Sequence, residues 1–226
     1  VEDGALTGKH FGRPADVIYG LHCAPFLEVG TLATRVGALM ASTDEIKIKV
    51  VGQGGHAAMP NLGVDPVLVG SQIVVALQSV ASRNVDPLDS VVVTLATFHA
   101  GTARNVIPHV AELGGTLRSL RGEVREQART RIRTIAEGVA AGLGARAEVE
   151  LIEGYPVTMN HPEATERFRE RAKTVVGNDR LSECPPVMGG EDFSFYGYEI
   201  PACFFWLGVR PVGQDSYPSV HTPEFD

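Results

Sequence analysis

From Asp44 to Val50 the chain alternates Ile46, Ile48 and Val50 with Glu45, Lys47 and Lys49, and a period of two marks a half-buried strand. Asp65 and Pro66 then open the stretch DPVLVGSQIVVALQSVASR. An acid ahead of proline at the first helical position, followed by apolar residues at helical spacing, predicts a helix. DSVVVTLATFHAG and VAELGGTLRSL read as two further strands. In EVREQARTRIRTIAEGVAAGLG, Val124, Ala128, Ile132, Ile135 and Val139 share one helical face, arginines take the others, and Gly144 stands near the stop. ARAEVELIEG alternates again as a last strand. The order is β-α-β-β-α-β from about residue 42 to 155, the split βαβ plan of a small ferredoxin-like sandwich.

The flanks differ in kind. ADVIYGLHC and GTLATRVG precede this unit; a helix at PEATERFRERAKTVVG and a buried strand at PACFFWLGV follow it. Residues 1–41 and 156–226 are therefore expected to share one α/β domain, with 42–155 inserted into it.

Composition narrows the class. With 226 residues, 44% of them hydrophobic and 21% charged, the chain can bury a core of ordinary size. A net charge of −7 argues against general affinity for nucleic acid or anionic lipid and favours a small-molecule or peptide substrate. No apolar run reaches the roughly 18 residues of a membrane span. Cys23, Cys184 and Cys203 are odd in number and widely spaced, so neither a disulfide framework nor a zinc ribbon is indicated and a cytoplasmic location fits. The opening VEDGALTGKHFG lacks a start methionine, and the sequence reads as an excised piece of a longer protein.

Several residues can carry chemistry. His22 follows the apolar VIYGL, and His221 follows PACFFWLGV after a loop; both are expected beyond the carboxyl ends of parallel strands, the edge where α/β sheets build sites. His56, in VVGQGGHAAMP, leaves a Gly-rich turn that lets a ligand approach closely, or is an exposed histidine on an ordinary connection. Asn105 lies at a second turn, which its side chain can serve by itself. Arg118, in GGTLRSL, either lies on a solvated sheet face or grips a carboxylate in a bidentate manner. Glu191 and Asp192, in PPVMGGEDFSFYG, precede an aromatic helical turn whose dipole alone would favour acids. Cys23, beside His22 on a strand end, is expected to be a buried neutral thiol. His10, His99, His109 and His161 read as structural or surface residues.

Taken together, GLHCAP, GGHAAMPNLGVDP, ARNVIP, GTLRSL, MGGEDFSFY and HTPEFD resemble, in order, the motifs of metal-dependent amidohydrolases of the hippurate hydrolase and indole-acetyl-amino-acid hydrolase group, relatives of aminoacylase and the glutamate carboxypeptidases. The resemblance covers nearly the whole chain. It implies a zinc-peptidase-like α/β catalytic domain, partial here, and an inserted ferredoxin-like lid through which the protein forms a homodimer. It implies His22 and His221 as ligands of two divalent metal ions (Zn, Mn, Co or Ni). His56 is implied as the catalytic histidine that reaches the partner subunit's site, and Asn105 and Arg118 as lid residues that hold the substrate. Gly189, Gly190 and Glu191 match a pocket-lining loop. The family's other ligands and its general base would lie upstream of Val1, so the isolated chain is expected to be inactive.

The implied reaction is hydrolysis of N-acyl amino acids or related small amides by a metal-activated water. The alternatives are a dipeptidase or carboxypeptidase of the same clan, and a non-catalytic dimerising fragment.

Overall fold

The computed structural model describes residues 4, 6–9 and 12–225; His10 lies outside them. Among these residues the elements run β1 (Ile18–Glu28), β2 (Leu32–Thr34), β3 (Gly37–Met40), β4 (Ser42–Val51), β5 (Gly55–His56), α1 (Pro66–Ser79), β6 (Val91–Ala100), β7 (Val106–Ile107), β8 (Val110–Ser119), α2 (Gly122–Gly142), β9 (Arg146–Glu153), β10 (Thr158–Asn160), α3 (Pro162–Val176), β11 (Leu181–Glu183), α4 (Ser194–Gly197) and β12 (Ala202–Arg210). They divide into two units, Val1–Ala41 with Pro156–Asp226, and Ser42–Tyr155. No described helix is long and apolar enough to cross a membrane.

In the unit Ser42–Tyr155, β4 buries Ile46, Ile48 and Val50 and exposes Glu45, Lys47 and Lys49, as its alternation requires. It lies between β8 and β9 in a four-stranded antiparallel sheet of order β6-β8-β4-β9. Helix α1 starts where the acid and proline predict: the Asp65 carboxylate accepts from the Val67 amide at 2.8 Å, satisfying an amide that has no partner within the helix. Its Val69, Ile73 and Leu77 join the sheet residues in one core. Helix α2 turns a slightly different stripe inward from the one its sequence suggests. Val124, Ala128, Ile132, Ala136 and Ala140 are buried, while Ile135 and Val139 pack at the margin. The alanines let the helix approach its neighbours closely, which outweighs the larger side chains one position away.

One arginine also departs from the expected pattern. Arg125 is 6% exposed and Asp44 only 1%. Arg125 donates through Nε at 2.9 Å and Nη2 at 2.8 Å to the two oxygens of Asp44, and through Nη1 to Glu153 at 3.0 Å. Arg129 adds a bond to Asp44 at 2.7 Å. The bidentate pair clamps α2 to β4, and the charge is tolerated inside because every oxygen of Asp44 has a donor.

In the other unit a four-stranded sheet has the order β1-β12-β2-β11. It is mixed: β1 and β12 are parallel, β2 runs antiparallel to β12, and β11 is parallel to β2. The β1–β12 register runs from Ile18 opposite Ala202 to Ala24 opposite Gly208. One face carries Phe193, Phe204 and Trp206. On the other, Phe168 of α3 stacks on Phe205, ring centroids 4.2 Å apart. Asn160, 2% exposed, ties β10 into this sheet. Its amide nitrogen reaches the Thr34 hydroxyl at 3.1 Å and the carbonyls of Arg35 and Phe204 at 2.8 and 2.9 Å, while its oxygen accepts from the Phe204 amide at 2.7 Å.

Replacing Arg125 with methionine leaves the Asp44 charge buried, and by urea unfolding should cost about 3–5 kcal/mol. The double variant Asp44→Leu with Arg125→Met should recover most of it, and a single-variant loss below about 1 kcal/mol would contradict a buried pair of this kind. Burial also pushes the Cys184 and Cys203 thiols above their ordinary range, so the thiolate is scarce there. Iodoacetamide should therefore label the half-buried Cys23 at least about 10-fold faster than either of them in the folded chain, with the difference erased by denaturant. Equal rates in the folded protein would show that the two sites open readily.

Candidate active site

The sequence places His22 just beyond a strand, but β1 continues through it. Cys23 and Ala24 still pair with Leu207 and Gly208, and the ladder shifts register only between Ala24 and Glu28. His22 therefore lies within the parallel ladder opposite Trp206, and the two rings meet edge to face at 5.8 Å. Phe26 packs against the same indole at 5.7 Å. Cys23, read from the sequence as buried, is half-buried, because its side chain alternates to the opposite face from His22.

His22 Nδ1 lies 2.9 Å from the Cys23 carbonyl oxygen. A carbonyl only accepts, so Nδ1 carries the proton and Nε2 keeps its lone pair. This is the arrangement that a metal-ligating histidine needs: one nitrogen fixed by the backbone and the other available to an ion.

His221 arrives from the far end of the chain. Its turn is closed by the Thr222 hydroxyl on the Ser219 carbonyl at 2.7 Å and by the Phe225 amide on Thr222 at 3.2 Å. Tyr217 and Phe225 pack across it with ring centroids 5.8 Å apart. His221 itself takes φ 64°, a left-handed conformation uncommon for a residue other than glycine and concentrated where function demands it. The His22 and His221 rings then lie 6.1 Å apart.

Glu191 lies on the loop that precedes α4. Burial, and then a hydrogen bond with Asp192, push its carboxyl above the usual range, while His22 pulls in the opposite direction and so lies within electrostatic reach. Helix α4 begins only at Ser194, so neither acid sits in its first turn and the helix dipole does not account for them. Gly189 and Gly190 lead into this segment, and the Gly189 carbonyl accepts from the Ala41 amide at 2.8 Å.

The remaining candidates belong to the other unit. His56 is on β5, paired with Val106 of β7, and its Nδ1 accepts from the Ala58 amide at 3.0 Å. Its neutral ring thus carries the proton on Nε2, the tautomer opposite to that of His22. Asn105, exposed on the adjoining turn, accepts from the Ala57 amide through its backbone carbonyl at 3.1 Å. Arg118 lies on β8 opposite Thr43 and Val92, on the sheet face turned away from α1 and α2, and is half-buried.

Trp206 escaped the sequence reading because its stretch ACFFWLGV signals only a buried strand. Its indole nitrogen is buried without a hydrogen-bond partner, and only the register reveals that it backs His22. The Ala58 amide could not be found in sequence at all, since every residue but proline has one.

Two imidazoles, one of them held by a carbonyl, suit a divalent ion of the zinc type. Among the described residues, no group of three or more His, Cys, Asp or Glu side chains is placed to hold a metal. The fit is thus that of part of a donor set, because a catalytic zinc normally takes three protein ligands.

Comparison with known proteins identifies the family. The chain is 42% identical over 215 residues to an N-acetyldiaminopimelate deacetylase of Enterococcus faecalis, covering 93% of the chain and 54% of that protein. It is 38% identical over 219 residues to an N-acetylcysteine deacetylase of Bacillus subtilis, covering 97% and 56%. It also matches the structure of the Bacillus subtilis YXEP protein, described as a dinuclear metal binding peptidase, with a TM-score of 0.78 at 31% identity, over 100% of the chain and 54% of the other. The chain spans about half the length of these relatives. The relatives carry deacetylase names and not those of hippurate or indole-acetyl-amino-acid hydrolases, so the narrower group suggested by the motifs gives way to the family as a whole. The model of that family matches residues 2–226, and the chain belongs to peptidase family M20/M25/M40.

Proposed function

We propose that this chain forms part of a metal-dependent amidohydrolase that removes the acyl group, most simply acetyl, from N-acyl amino acids. The observation that carries the reading is the approach of His22 and His221 to 6.1 Å with His22 Nδ1 committed to a backbone carbonyl. The deacetylase names of the relatives support the acyl amino acid as substrate class, and the dinuclear YXEP protein supports two divalent ions. His22 and His221 would hold metal; when bound, it supplies Lewis acidity and lowers the pKa of water from 15.7 to about 7.

The other residues bind and orient. His56, protonated on Nε2, offers a hydrogen bond to the oxygen on which charge develops, an effect worth about 3–4 kcal/mol for one such donor. Arg118 pairs with the substrate carboxylate and Asn105 aids the orientation, while Gly189, Gly190 and Glu191 line the substrate pocket. The unit Ser42–Tyr155, with its sheet order β6-β8-β4-β9, we take as a ferredoxin-like lid and dimerisation unit. Among the described residues strand β6 pairs with β8 alone, and α1 exposes Leu68 and Val75, features that a homodimer would cover.

A second reading, a non-catalytic dimerising chain, draws on the incomplete donor set. Zinc or cobalt titration separates the two. The chain should bind metal weakly, with His22→Ala or His221→Ala each reducing affinity at least about 10-fold and His161→Ala changing nothing. Loss in neither histidine variant would remove the metal site and leave the dimerising reading.

In the native polypeptide that contains this chain, Arg118→Ala should cost about 2–5 kcal/mol in kcat/KM for N-acetyl amino acids and far less for the matching amino acid amides. Equal losses for the acid and amide series would assign Arg118 to folding.

A further inference from the structure

The segment that delivers His56 is gripped twice by one residue that the proposed reaction leaves unused. The Gly52 amide donates to the His109 carbonyl at 2.9 Å, and the Gly54 amide donates to His109 Nδ1 at 3.2 Å. Gly54 must be glycine for this: a Cβ there would stand 2.6 Å from the Ile107 carbonyl oxygen, well inside contact distance. Gln53, just before Gly54, exchanges two backbone hydrogen bonds with Val64 at 2.8 and 2.9 Å, and beyond Gly54 the segment is held by short-range contacts, among them the Met59 amide on the His56 carbonyl at 2.9 Å. Gly55 and His56 make the two-residue ladder with Ile107 and Val106, Ala57 donates to Asn105, and Ala58 donates to His56 Nδ1. His56 is exposed.

We propose that His109 is a positioning residue for His56. Its imidazole, by accepting from Gly54, fixes the backbone two residues ahead of His56 and so holds the turn in which Ala58 sets the His56 tautomer. The role requires an acceptor at the Nδ1 position, which a neutral imidazole protonated on Nε2 provides. Asparagine can place its side-chain oxygen at nearly the same point, whereas phenylalanine keeps the ring and loses the acceptor. The inference rests on the proposed function only in giving His56 a task as donor; the contacts themselves stand without it.

The test uses the 15N-labelled chain. In the wild type, imidazole spectra should show both His56 and His109 protonated on Nε2. His109→Phe should speed amide exchange at Gly54 and Ala58 by about 10-fold, alter the His56 ring resonances and leave the Ile46 and Ile48 amides unchanged. His109→Asn should return Gly54 and Ala58 to within about threefold of the wild type. Three results would overturn the proposal: unchanged protection at Gly54 in the phenylalanine variant, a response at Gly54 that does not reach Ala58 and the His56 ring, or faster exchange at Ile46 and Ile48 as well, which would make the role global. None of these readouts needs turnover. If the native polypeptide cleaves no N-acyl amino acid, the enzyme reading fails while exchange still decides the role of His109.

Discussion

The parallel pairing of β1 with β12 is the constraint on which the candidate site depends. One strand precedes the Ser42–Tyr155 unit and the other follows it, so the ladder must close a long loop. That closure is affordable because loop entropy grows only with the logarithm of length, about 0.6 kcal/mol per doubling, and because the intervening residues bury their own core. Burying one large apolar side chain yields about 1.5–3 kcal/mol, and the shared face holds Phe193, Phe204 and Trp206. Gly20 shows how close that face is: a Cβ there would meet the Phe193 ring at 2.6 Å and Phe204 at 2.9 Å.

The register then does chemical work. It seats His22 against Trp206 and leaves the loop after β12 to bring His221 to the same place. Asn160 steadies the pair from a third strand by bonding both backbone groups of Phe204, two positions from Trp206. Side chains that touch no substrate thus set the spacing of those that would.

Hydrogen bonds to the backbone divide the labour between the histidines. A carbonyl facing Nδ1 makes His22 a lone-pair donor at Nε2, and an amide facing Nδ1 makes His56 a proton donor there. The residue type is the same; one backbone group of opposite polarity decides which ring nitrogen keeps its lone pair and which carries the proton.

Much of this was legible in the chain. The alternation of Ile46, Ile48 and Val50 determined the inward face of β4, because a strand has only two faces, and Asp65 with Pro66 determined where α1 starts. His22 and His221 stood out by following apolar strands, and His56 by its glycine-rich turn. Short-range patterns could not show that α2 would bury Arg125, since an arginine goes inside only where a partner such as Asp44 waits on another element. Nor could they extend β1 past His22, because its last pairings are supplied by Leu207 and Gly208 from the opposite end of the chain. Local periodicity follows from the geometry of each element and is written in consecutive residues. The partners of Arg125, the backing of His22 by Trp206 and the tautomer of each ring depend on which distant backbone and side-chain groups meet, and only the folded chain decides that.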